Sequence, residues 1–233
     1  MSSILTPGTM RLSLSSSTLK IIAAVTMVID HIGLVFLPEQ IFWRIIGRIS
    51  FPLFALLLAD GCRHTQSLTQ YIKRLTLLAV LSQIPFTLML WAAGLPVDVL
   101  NIFFTLIAGL LALAAFRHLA LTQSVSILFL ILLVADLFHF DYGAYGVVLV
   151  LVSYIALSRR DFGMALLALL HLTTIIPALE SGVLSIQLFA VLSLPFIAFY
   201  SGRLGVHLPR RFFYAFYPVH IVILLIVWIG LQL

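Results

Sequence analysis

The sequence predicts an all-α fold, a polytopic transmembrane helical bundle of about nine spans. Three observations predict it. Hydrophobic residues make up 63% of the 233 and charged residues only 9%, where a soluble domain is about one quarter charged. Mean hydropathy is +1.21. The apolar runs are long and lack the period-two alternation of a barrel strand, and only helices or closed barrels satisfy their backbone groups in lipid.

Residues 1–18 are rich in Ser and Thr and read as a flexible tail, and residues 19–233 as one transmembrane domain. The expected spans are 19–37, 41–62, 71–92, 98–118, 124–139, 142–158, 162–178, 184–200 and 212–232. Asp30-His31 interrupts the first run and no small-residue cleavage site ends it, so it reads as a retained span rather than a signal peptide. Pro38-Glu39-Gln40, Gly94-Leu95-Pro96, Asp141, the Ser158 to Asp161 segment, Ser181-Gly182 and Ser201-Gly202-Arg203 supply the turns. The fifth and sixth spans are short and meet at His139-Phe140-Asp141. The single cysteine, Cys62, excludes an internal disulfide.

Charge orients the bundle. With the N-terminus cytoplasmic, Arg11, Lys20, Arg63, Lys73, Arg74, Arg117, Arg159, Arg160, Arg203, Arg210 and Arg211 fall on the cytoplasmic side. The opposite loops carry Glu39, Asp98, Asp141 and Glu180 and no Lys or Arg, as the positive-inside rule requires. The net charge of +5 is then topology and lipid-headgroup contact. Nucleic acid is not an expected partner, because no basic domain exists to bind it.

The remaining basic residues, Arg44 and Arg48, lie inside the second span, next to the span that holds Asp30 and His31. Each ionised side chain at this depth costs about 2.5–3.5 kcal/mol on insertion scales, which marks a site. His31 lies roughly 9 Å and Arg48 roughly 10 Å from the outer side at 1.5 Å per residue. Gln83, Asn101, Asp136, His139, Tyr142 and Tyr145 fall in the same outer half. Polar groups at one depth on several helices are what a substrate-filled cavity requires, and also what separate interhelical hydrogen bonds would give. Asp30 and His31 point about 100° apart on a helix. The pattern therefore pairs Asp30 with Arg48 and leaves His31 for the cavity. Pro52 frees a carbonyl inside the second span and marks a kink beside it. His220 lies two residues after Pro218, roughly 12 Å deep in the last span. His171, among Leu and Thr, reads as a packing residue. No metal spacing, phosphate loop or nucleophile elbow appears.

These segments resemble the TraX family of membrane proteins linked to N-acetylation of conjugative pilin. The resemblance rests on Leu19-Lys20, the Val28-Ile29-Asp30-His31-Ile32 block, the Ile46 to Ala55 block around Arg48 and Pro52, and Arg63-His64. Leu100 to Phe104, Tyr142 to Gly146, and Phe213 to His220 complete it. It covers the chain from about Leu19 onward and extends distantly to the acyltransferase-3 membrane proteins. The matching residues are Asp30, His31, Arg48, Phe51, Pro52, Asn101 and His220. The resemblance implies a bacterial inner-membrane protein, with acetyl-CoA as co-substrate and no bound cofactor. The acceptor it implies is the amino group of a pilin or another envelope molecule.

The expected function is a membrane-embedded acyltransferase. His31 is expected as general base, Arg48 as oxyanion or donor-carbonyl ligand, Asp30 as the group fixing Arg48, and His220 as an aid to proton transfer. Arg44, Asn101, Gln83, Asp136 and Tyr142 are expected to bind substrate. Arg63, Lys73, Arg74, Arg203, Arg210 and Arg211 are candidates for the CoA phosphates. The rival readings are a proton-coupled transporter or flippase, and a non-catalytic assembly factor.

Overall fold

The computed structural model describes residues 13–176, 179, 182–207 and 210–232, with the backbone alone at 210–214 and 232. All its regular structure among these residues is helical. Helix α1 is Ser16–Phe36. It starts where Ser15 accepts the Thr18 N–H at 3.2 Å and stops just before Pro38, which has no N–H to continue it. The expected second span is broken into α2, Ile41–Gly47, and α3, Ser50–His64. Pro52 explains the break, because it lacks the donor for the Arg48 carbonyl one turn earlier and its ring crowds that carbonyl.

Helix α4, Leu68–Ala92, is capped by Ser67 and ended by Gly94 at a left-handed φ of 68°. Helix α5, Ile102–His118, follows an Asn101 cap, and α6 runs Leu121–Leu137. The turn into α7, Gly143–Ser158, uses positive φ at His139 and Tyr142. Helix α8 is Arg160–Thr173. The expected eighth span is a 3-10 run, Ile186–Ser193, followed by α9, Leu194–Ala198, rather than one helix. Helix α10 is Arg210–Gln232. Helix α1 thus begins three residues before the expected first span, and α8 ends short of the expected seventh.

Helix α1 packs on α2 and α3, α7 packs on α3, α5 and α8, and α10 closes the bundle against α4 and α1. Leu19, Leu53, Leu56, Leu110, Leu149 and Leu167 form the main core. Outside, Ile84, Leu121, Phe129 and Leu137 are exposed, the apolar exterior of a membrane protein. Ser16–Phe36, Ile41–His64 and Leu68–Ala92 are each long and apolar enough to cross a membrane, while Ile102–His118, Leu121–Leu137, Gly143–Ser158, Ile186–Ala198 and the Ala215–Leu231 part of α10 are shorter apolar segments.

The two ends of the bundle differ in charge. At one end Arg117 donates to the Cys62 carbonyl at 3.3 Å, and Arg160 donates to the Tyr200 carbonyl at 2.6 Å. Ser16 N–H bonds the Arg203 carbonyl there at 2.7 Å. At the other end His139 meets Asp98 at 2.8 Å, and Leu100 bridges to Phe140 beside Asp141.

Candidate functional site

The site is built where α1, the α2–α3 break and α10 meet. Gly47 makes it possible: a Cβ there would lie 2.0 Å from Oδ1 of Asp30, so only glycine lets α2 approach this closely. Arg48 Nη2 donates to Oδ1 and Oδ2 of Asp30 at 2.7 and 2.8 Å. Arg44 Nη1 donates to Oδ2 of the same carboxylate and to the Asp30 backbone carbonyl. Asp30 therefore holds both arginines, where the sequence suggested one. Tyr142 lies beneath Arg48, its ring centre 5.7 Å from the guanidinium carbon, and stacks on Phe51 at 4.1 Å.

His31 faces the other way, toward α10. Its Nδ1 lies 2.8 Å from Nε2 of His220, and His220 Nδ1 lies 2.8 Å from the Phe216 carbonyl oxygen. A carbonyl can only accept, so His220 Nδ1 carries the hydrogen. With both rings neutral, His220 Nε2 then accepts, His31 Nδ1 donates, and His31 Nε2 keeps its lone pair. No described residue bonds that nitrogen, and His31 lines a cavity. His220 thereby fixes the orientation and tautomer of His31.

That cavity holds about 1290 Å³. It runs from a polar mouth at the basic end, with Lys20, His64, Gln70 and Arg74, past Phe54, Leu57 and Leu106, to Asp30, His31, Arg44 and Arg48. Beyond them it reaches Asp141 and Tyr142. A smaller pocket of about 370 Å³ shares Arg48, Asp141 and Tyr142 with it, and is completed by Tyr145, Thr174, Ser185 and Gln187. There Arg48 Nη1 donates to Gln187 Oε1 at 3.3 Å, Gln187 Nε2 donates to the Tyr145 hydroxyl at 3.2 Å, and that hydroxyl meets His171 Nδ1 at 2.7 Å. His171 is thus more than packing: it ends a polar chain that starts at Arg48.

Other expected site residues stand elsewhere. Asn101 and Gln83 do not line either cavity. Asn101 is fully buried, donates to the Ala79 carbonyl and to Gln83 Oε1, and caps α5 through the Phe103 N–H. Gln83 donates to Thr87 and the Val99 carbonyl. Together they lock α4 to α5, and their polar atoms are used up in doing so. Asp136 accepts the Ala144 N–H at 2.7 Å and holds the turn into α7, away from the cavities.

Among the phosphate candidates, Arg74 lines the mouth, its guanidinium 5.8 Å from the Tyr71 ring centre. Arg63 instead lies over Tyr154 at 5.9 Å, and neither Lys73 nor Arg203 lines the cavity. The side chains of Arg210 and Arg211, like Arg11 and Glu180, lie outside the described residues. Lys20 and His64 at the mouth, Tyr217 beside His31, and Asp141 and Gln187 beside Arg48 were not singled out as site residues by sequence. A lone Gln in the apolar 184–200 run was the available signal for Gln187. Burial pushes the Asp141 carboxyl up to about 6, against the opposing pull of Arg48.

The chain is similar to known proteins over most of its length. The chain is 32% identical over 234 residues to "Probable fimbrial assembly protein FimC, serogroup H1" of Dichelobacter nodosus, covering 90% of this chain and 94% of that one. It is 28% identical to "Protein TraX" of Escherichia coli, over 88% of this chain and 84% of that one, and 26% identical to its counterpart from strain K12 over the same shares. No solved structure matches. The family profile described as TraX protein matches residues 15–228, almost everything described above, and the chain therefore belongs to the TraX family.

Proposed function

We propose that this protein is a membrane acyltransferase that moves an acetyl group from acetyl-CoA to an amine or hydroxyl of a pilin or fimbrial subunit. The relatives' names support a role in pilus or fimbrial assembly. The observation that carries the chemistry is the single cavity joining a basic mouth to the free Nε2 of His31 and to the Arg44–Arg48 pair.

Arg74 and Lys20 at the mouth hold the CoA phosphates as charge-assisted donors. The apolar stretch at Phe54, Leu57 and Leu106 takes the pantetheine arm, and the thioester carbonyl sits at the arginines. His31 Nε2 removes a proton from the acceptor as it attacks the carbonyl carbon. Arg48 faces the oxyanion that forms. The carbon–sulfur bond then breaks, His31 returns its proton to the leaving thiolate, and acetylated acceptor and free CoA depart. Asp30 keeps both arginines in place, and His220 keeps His31 in the required tautomer. The nine-span, N-in arrangement in the inner membrane completes this reading, because the basic end then faces cytoplasmic acetyl-CoA. The cavity supplies the passage from that face to His31.

The test uses purified protein in liposomes, labelled acetyl-CoA and a peptide of the mature pilin amino terminus. Label transfer to the peptide, with matching release of CoA, is expected. Thioester consumption at the protein-free rate would overturn the proposal, and would be the result for a transporter or an assembly factor.

A further inference from the structure

We infer that the smaller pocket is the acceptor's port: it receives the free amino terminus of a polypeptide at the acidic end of the bundle, with Asp141 holding the ammonium. The inference rests on the acyl-transfer reading with its amine acceptor, and adds that acceptor's way in and the side chain that receives it.

Three features carry it. First, Arg48, Asp141 and Tyr142 line both cavities, so the smaller pocket adjoins the place where the thioester carbonyl would sit. Second, the pocket is built from the acidic end. Thr174 follows the last residue of α8, and Asp141 lies in the turn before α7, whose backbone bonds Leu100 and Thr105. The donor's basic mouth is at the other end. The far wall of the larger cavity, at Leu95, Pro96 and Val99, is apolar and offers nothing to an ammonium.

Third, the pocket offers a cation an acceptor. Arg48 gives Nη2 to Asp30 and one Nη1 hydrogen to Gln187, and it and Arg44 act on Asp141 through space without donating to it. The Asp141 carboxylate accepts the Tyr142 backbone N–H, but no side chain among the described residues donates to it. An arriving α-amino group, with an ordinary pKa of about 7.7–8.0, is protonated and cannot attack a carbonyl until it loses that proton. Asp141 accepts it: the ammonium and carboxylate become a neutral amine and a carboxylic acid. The amine then attacks the thioester, His31 takes its second proton and passes it to the thiolate, and Asp141 returns its own to water at the pocket mouth. The raised affinity of Asp141 for a proton suits this exchange, and a hydroxyl acceptor would have no use for it.

Binding is measured without acetyl-CoA, on the protein in nanodiscs, with a fluorescent peptide of the mature pilin amino terminus and its N-formyl form. Thr174→Trp fills the pocket from a residue outside the chemistry, and Asp141→Asn removes the charge. Each is expected to weaken the free-amine peptide by about tenfold or more, the loss of one charge-assisted hydrogen bond or of the space for it. Acetyl-CoA affinity of Thr174→Trp, measured separately, stays within about twofold, since Thr174 lines only the smaller pocket. The formyl peptide binds wild type about tenfold more weakly than the free amine, and Asp141→Asn abolishes that preference. Unchanged peptide binding in folded Thr174→Trp, or equal binding of free and formylated peptide to wild type, would overturn the port. Because no turnover is read, failure of acyl transfer and failure of the port register in different experiments.

Discussion

Replacing Asp30 by Asn tests the centre of the site, because it leaves shape nearly unchanged and strands two cations. The Asp30 side chain is 10% exposed, Arg48 9% and Arg44 22%. Removing one partner of a buried ion pair costs about 3–5 kcal/mol, since the remaining charge stays buried and unpaired. Asp30→Asn leaves both arginines uncompensated and belongs at the upper end of that range. Arg48→Gln leaves Asp30 with Arg44 and belongs near the lower end. Arg44→Gln removes the most exposed member and is expected to cost about 1.5–3 kcal/mol, the worth of a hydrogen bond to a charged group. The triple variant, with Asn at 30 and Gln at 44 and 48, removes both stranded cations and should recover stability relative to Asp30→Asn alone. The assay is unfolding in mixed micelles with increasing denaturing detergent, followed by helical signal. The order Asp30→Asn, Arg48→Gln, Arg44→Gln from most to least destabilised is the signature of one shared carboxylate. Arg48→Gln within about 0.5 kcal/mol of wild type, or a triple variant no better than Asp30→Asn, would refute the reasoning.

Four further outcomes can be measured. Gly47→Ala puts a methyl into the Asp30 carboxylate and should mimic Asp30→Asn in the same unfolding assay, whereas a harmless Gly47→Ala would contradict the close approach. His31→Gln should fold normally and lose about 100-fold or more of acetyl transfer, the usual weight of a general base; near-normal turnover would move that role to another group. Asn101→Ala should lower stability by about 1–3 kcal/mol through the lost cap and unpaired groups, with acetyl-CoA affinity unchanged, and a specific loss of affinity would restore it to the cavity. Asp141 titrates near 6 in the fold, above its unfolded value of about 3.9, so its proton is bound more tightly by the folded chain. Its contribution to stability is therefore full below pH about 4 and lost as pH rises through about 6, so wild type is expected to lose melting temperature relative to Asp141→Asn, which stays neutral, over this window; a pH-independent difference would contradict it.

Depth along a span is legible in sequence, but the direction a side chain faces is not. Asp30, His31, Arg44 and Arg48 were found because ionisable groups in apolar runs are costly wherever they point. The Asp30–Arg48 pair followed from matched depth on consecutive helices, and the 100° separation of Asp30 from His31 placed the histidine on a different wall. Asn101, Gln83 and Asp136 have the right depth as well, yet face neighbouring backbone and serve as locks and caps. Neutral amides and a turn carboxylate can be satisfied locally, so their presence at that depth carried less information. The contact of His31 with His220 joins residues 189 apart in the chain. No local pattern reports it, although both histidines stood out separately. Gln187 was hidden because the 184–200 run reads as a plain apolar span until its 3-10 geometry turns that one amide toward Arg48.

The irregular backbone is the better guide to the site. In lipid, a main-chain carbonyl without its helical partner is tolerated where it is buried in protein or lines a cavity. The α2–α3 break lies one turn before Pro52, which has no N–H for the Arg48 carbonyl, and Gly47, Arg48, Ser50 and Phe51 around it all line the larger cavity. The 3-10 run ahead of Pro195 presents Ser185 and Gln187 to the smaller pocket, and such runs often mark function or strain. The left-handed Tyr142, a conformation costly for a bulky residue, stands between the two cavities. By contrast, Gln83 sits inside a continuous α4 and Asn101 caps a regular α5. Arg48, Tyr142 and Gln187 face the cavities from breaks in the backbone, Asp30 and His31 face the larger one from a continuous α1, and Asn101 and Gln83 on regular helices lock α4 to α5. That distinction separates Arg48, Tyr142 and Gln187 from Asn101 and Gln83, which depth and residue type alone had grouped together.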